Sequence, residues 1–485
     1  MQSQDEIKPL IHHFEDGGHS FVLDIHTNRL FSLSSDESKV IKAWLNNSSL
    51  HELSEKYPDE VKQITAMQDE GLFSNRPPEG PAFGLDWERI FDQIKHERSR
   101  TVFELTQQCN LRCKYCTFGG GFTDHRTHSQ TVMSEETLKK AIDQAFLHGD
   151  RLEEISIGFY GGEPLLAWKR FVTGVEYARD QARRLQQRVR FSLTTNATLI
   201  DGRKARFLRD AGFSVLVSID GPRFLHDQYR VYPTGKGSYT KAMQGLKTLL
   251  DTYPLDMQGK IGLSMVIPSS DWASYSETLW QKEPWLPETL RAQATVVNAP
   301  DGLPNPIPPA KLDEISFHDR WLQELETEVG RQSPLTGAVF NHTMAKFHQR
   351  PIFQGRRESF FPNGCCIPAV RKVYVTVAGE YQICERVHGV PAIGTVHNGI
   401  DYSSIRRVVD EYADASLQDC KACFAASVCS LCFLHAYESG RFSIEKKRSA
   451  CSRARRSVEM NLKAYGLASQ VYPEKLDEWG SVEIK

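Results

Sequence analysis

The chain of 485 residues has no long apolar run: nothing in it approaches the roughly 18 residues a membrane-spanning helix needs. It has no excess of either charge sign, with 59 Lys and Arg against 61 Asp and Glu and a net charge of −2. Global electrostatics therefore gives no reason to expect nucleic acid or an anionic membrane as a partner. The opening segment, MQSQDEIKPLIHHFEDGG, is acidic and lacks the apolar core of a secretory signal. There is no internal repeat and no low-complexity tract. With 40% hydrophobic and 25% charged residues, the composition excludes a disordered chain, a collagen and a coiled-coil rod. The expectation is a soluble cytoplasmic protein of about three domains.

Cysteine is absent from residues 117–364, yet the chain holds 11 of them. They are Cys109, Cys113, Cys116, Cys365, Cys366, Cys384, Cys420, Cys423, Cys429, Cys432 and Cys451. An odd number in a cytosolic chain argues against a disulfide framework, and two tight clusters argue for metal.

Residues 1–73 read as a small module of three short strands followed by three helical stretches, consistent with a winged helix. Residues 74–98 read as a linker, rich in Pro and Gly over 74–84. Strands alternate with helices over residues 99–310: 101–106, 155–160, 189–194, 213–219, 260–267 and 290–297, with a helix over 134–148 capped by Ser134. This order predicts an α/β fold, a partial (β/α)6 barrel with its chemistry after the C-terminal strand ends. A Pro-rich linker over 301–312 ends that domain. A helical bridging region follows at 311–360, then a Cys-rich domain at 361–455 with short strands such as KVYVTVA. The tail, 456–485, reads as one helix and then loose chain.

Cys109-x3-Cys113-x2-Cys116 follows the first barrel strand. Three thiolates can hold three corners of a four-iron cluster and leave one iron open to a small ligand; a zinc loop is the alternative. The segment CNLRCKYC, with Tyr115 before its last cysteine, resembles the motif of radical S-adenosylmethionine (SAM) enzymes. The resemblance covers residues 100–300. It implies that Gly161-Gly162-Glu163-Pro164 meets the methionine end of SAM. Thr195-Asn196 would contact its ribose or carboxylate. Ser218, Asp220 and Arg230 would complete a polar pocket. Ala197 stands where that family usually has glycine. The loop after Cys116, FGGGFTDHRTHS, is a candidate lid or a merely flexible segment.

The second cluster reads Cys366-x12-Gly379-x4-Cys384, then Cys420-x2-Cys423-x5-Cys429-x2-Cys432, then Cys451. Structural zinc is again the alternative. The pattern resembles the SPASM extension of radical SAM peptide-modifying enzymes, with one residue fewer before Cys432. That resemblance implies two auxiliary clusters: Cys366, Cys384 and Cys432 with Cys365 as candidate fourth ligand, and Cys420, Cys423, Cys429 and Cys451. The stretch 441–457 carries seven basic residues against one acidic. It is either a nucleic-acid patch or a helix face that partly offsets cluster charge.

The resemblance implies SAM and three [4Fe-4S] clusters as cofactors, and hydrogen abstraction through a 5′-deoxyadenosyl radical. The N-terminal module resembles the leader-peptide recognition element of ribosomal-peptide maturases, where the leader adds as a strand. The expected activity is a thioether or C–C crosslink in a precursor peptide, with flavodoxin or ferredoxin as electron donor. The alternatives are a sulfatase-type maturase forming formylglycine and a zinc-bound nucleic-acid-binding module. No catalytic side chain is assigned.

Overall fold

The computed structural model describes residues 8–78, 85–121, 125–267, 273–296, 321–322, 325, 334–358, 366–387 and 389–482. The expected linker over 301–312 and the expectation on Cys365 lie outside them.

The N-terminal module is a three-stranded antiparallel sheet, β1 (Ile11–Asp16), β2 (His19–Asp24) and β3 (Leu30–Leu33), in the order β1-β2-β3. Three helices follow: α1 (Ser35–Leu45), α2 (Leu50–Ser54) and α3 (Pro58–Asp69). Serine sets two of their starts. Ser34 and Ser49 each form a reciprocal capping box, with Glu37 and Glu52, which satisfies backbone donors the helix leaves open. Val22, Val40, Ile41, Trp44 and Phe73 bury the module's own small core.

After α4 (Trp87–His96), the barrel alternates strand and helix: β4 (Arg100–Thr106), α5 (Glu135–Leu147), β5 (Glu154–Gly161), α6 (Trp168–Leu185) and β6 (Arg188–Thr195). It continues with α7 (Gly202–Asp210), β7 (Ser214–Ser218), α8 (Arg223–Tyr229), α9 (Tyr239–Thr252), β8 (Ile261–Ile267), α10 (Ala273–Lys282) and β9 (Arg291–Val296). The six strands β4 to β9 run parallel in chain order. Phe103, Ile157, Leu193, Val215 and Leu263 fill the interior between sheet and helices. Crossover helices cover such a sheet, which is why its strands read as near-continuous apolar runs.

The sheet does not stop at β4. After α11 (Pro334–His348), β10 (Lys372–Val375) pairs parallel to β4, and β11 (Tyr381–Gln382) pairs antiparallel to β10. The KVYV run of the Cys-rich domain thus becomes the seventh strand of the barrel sheet. Nothing local in the sequence marks its partner, since β4 lies more than 260 residues away in the chain.

The C-terminus also differs from expectation. After α12 (Tyr402–Cys420), one helix, α13 (Ile444–Val471), runs unbroken through the expected boundary at 455. At 1.5 Å per residue it is about 42 Å long. Its first turns carry Cys451; farther along, Val458, Leu462 and Tyr465 join Phe14, Phe21 and Leu23 of the N-terminal sheet in one core. In place of loose chain, α14 (Lys475–Ser481) follows and buries Trp479 against Trp321 at 6.4 Å. Among the described residues no helix is long and apolar enough to cross a membrane.

Candidate functional site

Two hydrogen-bond networks grip the cysteine loop that follows β4, one from each side. On the first side, β5 ends in a close approach to the loop. Gly162 N donates to Thr106 O at 2.8 Å and Glu163 N to Gln108 O at 2.7 Å. A Cβ on Gly161 would stand 2.4 Å from Thr106 O, and φ there is +124°. A Cβ on Gly162 would stand 1.9 Å from Gln108 O. Only glycine lets the backbones come this close.

Glu163 is buried and turned inward. Its Oε1 accepts from Leu165 N at 3.1 Å and Thr195 Oγ1 at 2.8 Å; its Oε2 accepts from Asn196 N at 2.8 Å. Burial pushes the carboxyl up to about 7 against the pull of those donors. Asn196 Nδ2 donates to Asn110 Oδ1 at 2.9 Å, and Asn110 Nδ2 to Thr198 Oγ1 at 2.8 Å. Ala197 takes a left-handed φ of +58°, a strain of about 1 kcal/mol for a residue with a Cβ. Gly245 on α9 leaves room for it, since a Cβ there would meet Ala197 O at 2.1 Å.

On the second side stands Asp220, fully buried just past β7 and Ser218. Its Oδ2 accepts from Tyr115 Oη at 2.6 Å and from Arg230 Nε at 2.9 Å, and its Oδ1 from Val266 N at 3.0 Å. The Arg230 guanidinium also sits 5.4 Å from the Tyr115 ring centre. The backbone reinforces this: Arg112 N donates to Val231 O at 2.7 Å and Lys114 N to Tyr229 O at 3.0 Å.

The loop after Cys116 is anchored at Arg126, which ion-pairs with the buried Glu104 and lies 3.6 Å over the Phe118 ring. Glu104 Oε2 also accepts from Val377 N of the Cys-rich domain at 3.0 Å. His128 Nε2 stands 4.0 Å from Cys116 Sγ.

The structure sorts the described cysteines into three sets. Cys109, Cys113 and Cys116 lie together, as their mutual electrostatic influence shows. Burial raises the Cys109 thiol to about 11 and the Cys113 thiol to about 12. Cys366 and Cys384 lie beside Cys432, whose thiol burial raises to about 11. Cys420, Cys423, Cys429 and Cys451 line a cavity of about 370 Å³ with Lys447, Arg448 and Arg455 at its wall. None of the ten described cysteines forms a disulfide. Among the described residues no group of three or more His, Cys, Asp or Glu side chains stands ready to hold a single metal ion. Purely soft, multi-thiol donor sets of this kind suit iron–sulfur clusters, whose ligands bind separate irons.

Residues 103–272 match the model of the Radical SAM superfamily. The chain carries a radical SAM domain. Within it, 142 residues are 33% identical to a serine-type anaerobic sulfatase-maturating enzyme of Bacteroides thetaiotaomicron, covering 29% of this chain and 34% of that relative. A cysteine-type anaerobic sulfatase-maturating enzyme of Clostridium novyi is 29% identical over 157 residues, 31% of this chain and 40% of the relative. The chain thus spans well under half the length of these curated relatives. The solved structure of native anSMEcpe with bound AdoMet shares the fold at 18% identity and a TM-score of 0.54, covering 79% of this chain and 100% of that chain. The same protein with AdoMet and the Cp18Cys peptide gives 0.51 at 17% identity.

Every expected pocket residue sits at the cysteine-loop end of the radical SAM sheet. Glu163, Thr195 and Asn196 share one network, and Tyr115, Asp220 and Arg230 the other; Ser218 ends β7 beside them. Sequence reasoning missed Asn110, Glu104 and Arg126. Asn110 lies inside the cysteine motif, where neighbouring thiols draw the eye. A Glu in an otherwise apolar strand was the available signal for Glu104.

Proposed function

We propose that the chain is a radical SAM maturase that takes hydrogen from a ribosomally made precursor peptide and installs a thioether or C–C crosslink. Cys109, Cys113 and Cys116 would hold a [4Fe-4S] cluster with one open iron. Tyr115, Gly161, Gly162, Glu163, Pro164, Thr195, Asn196, Ser218, Asp220 and Arg230 would form the SAM pocket. Bound and reduced, that cluster with SAM supplies a carbon radical able to abstract hydrogen from an unactivated carbon. The residues of the chain fix the loop geometry. Asp220 neutralises Arg230 and orients Tyr115, while Glu163 locks the turn at Thr195-Asn196 against the cysteine loop. Both carboxylates are buried.

Two further four-iron clusters would occupy the sets around Cys432 and Cys420, the first with Cys365 as candidate fourth ligand. A flavodoxin or ferredoxin would deliver electrons in the cytoplasm.

The observation that carries the peptide substrate is the edge of β3. On one side β3 pairs with β2, and among the described residues its other side pairs with no strand. The opposite strand, β1, is fastened to α13 through Phe14, Val458 and Leu462. An open edge on a sheet anchored to the catalytic body can take a leader peptide as a fourth strand.

A second reading, formylglycine formation from Cys or Ser, is favoured by the similarity to sulfatase-maturating enzymes. Co-expression with short peptides encoded beside this chain, followed by mass spectrometry, separates the two. A crosslink removes two hydrogens and leaves no aldehyde. Formylglycine gives a hydrazine-reactive aldehyde. Unmodified peptide across all candidates would sink both readings.

A further inference from the structure

Lys447 lies in the first turn of α13 and is 3% exposed. Its Nζ stands 3.3 Å from Cys420 Sγ and 5.0 Å from the centre of the Tyr412 ring. Its charge also reaches Cys423 and Cys429. The carboxylate whose field reaches it, Asp419, is itself bound to Arg448 at 2.8 Å, and among the described residues Lys447 forms no ion pair of its own. Arg455 adds a further positive charge beside Cys423.

An ammonium buried without an anion is strongly unfavourable, and Met fills the same volume without that penalty. Four thiolates around one cluster supply the missing negative charge. Reduction of such a centre by one electron adds one more. A buried cation that donates N–H to a ligand sulfur therefore favours the reduced state over the oxidised one. One lysine of the basic run at 441–457 thus faces inward, onto sulfur.

We propose that Lys447 is a positioning residue that raises the reduction potential of the auxiliary centre at Cys420, Cys423, Cys429 and Cys451 and so fits that centre to accept an electron. This rests on the reading that these four thiols hold an iron–sulfur cluster.

The test is a potentiometric titration followed by electron paramagnetic resonance, on the full chain reconstituted with iron and sulfide. Cys109, Cys113 and Cys116 are changed to Ala so that only the auxiliary signals remain. Lys447→Met should make one auxiliary signal at least tenfold harder to reduce, about 59 mV lower for one electron. Lys447→Arg should keep the native potential. If Lys447→Met loses iron, Lys447→Gln is titrated in its place. An unchanged potential in the neutral variant at full iron content would overturn the proposal. So would iron loss in both neutral variants with retention in Lys447→Arg, because the lysine would then serve assembly only. If the Lys447 protein itself binds no iron at this site, the cluster assignment fails instead, and the two failures are told apart by iron content alone.

Discussion

Tyr115 Oη donates to Asp220 Oδ2 at 2.6 Å, across 105 residues of chain. Through this one bond the cysteine loop is fastened to the far end of β7, and the same carboxylate oxygen also accepts from Arg230. The two partners differ in what they leave behind. Tyr115→Phe removes a hydrogen bond to a charged acceptor and should cost about 1.5–3 kcal/mol. Asp220→Ala strands the buried Arg230 cation and should cost more, about 3–5 kcal/mol. Denaturant unfolding of the two variants checks the order, and equal losses would deny Asp220 its charge-balancing part.

Gly162→Ala should be far more damaging than an alanine substitution elsewhere on the turn. The new methyl would stand 1.9 Å from Gln108 O, a backbone atom that cannot swing aside. The expected outcome is loss of SAM binding, read by equilibrium dialysis, with the auxiliary iron retained. Wild-type affinity in this variant would contradict the close approach of β5 to the cysteine loop.

Glu163 imparts a pH dependence to stability. Its folded midpoint, about 7, lies above the ordinary carboxyl value of 4.5. The stabilisation is therefore full below pH 4.5 and is lost as pH rises through about 7. At 1.36 kcal/mol per pH unit the loss is roughly 3 kcal/mol. Thermal melts of the metal-free chain should show Tm falling over that window, and Glu163→Gln should flatten that part of the profile. A profile identical in both proteins would place the ionisation elsewhere.

Iron content should follow the three thiol sets. With four irons to a cluster, the reconstituted chain should hold about twelve. Changing Cys109, Cys113 and Cys116 together to Ala should abolish SAM cleavage and remove about four irons, whereas changing Cys423 and Cys429 together should remove about four irons and leave the SAM-binding centre loaded. Retained SAM cleavage in the first variant would overturn the assignment of that loop.

Much of this was readable in the chain itself. Apolar runs separated by helical periodicity announced six parallel strands, and Ser134 announced the start of α5, because strand pattern and capping are local properties of a sequence. The spacing of Cys109, Cys113 and Cys116 announced that set, since residues a few positions apart on one loop lie close in space; the two other sets, which join distant cysteines, were implied only by the family resemblance. The module of three strands and three helices was legible because its strand and helix patterns are likewise local.

Only the tertiary structure decided that β10 pairs with β4, that α13 continues past residue 455 to brace the N-terminal sheet, and that Trp479 is buried. Those facts depend on surfaces brought together from hundreds of residues apart, which no local period encodes. The structure also turns one residue of the basic run, Lys447, inward onto Cys420 Sγ. Whether a lysine faces solvent or sulfur is set by which side of α13 packs on α12 and the Cys420 loop. Charge counting along the chain carries no information about that side. The sequence by itself marked the candidate metal and SAM residues; the fold determined which buried charges, Asp220, Glu163, Arg230 and Lys447, stand near them.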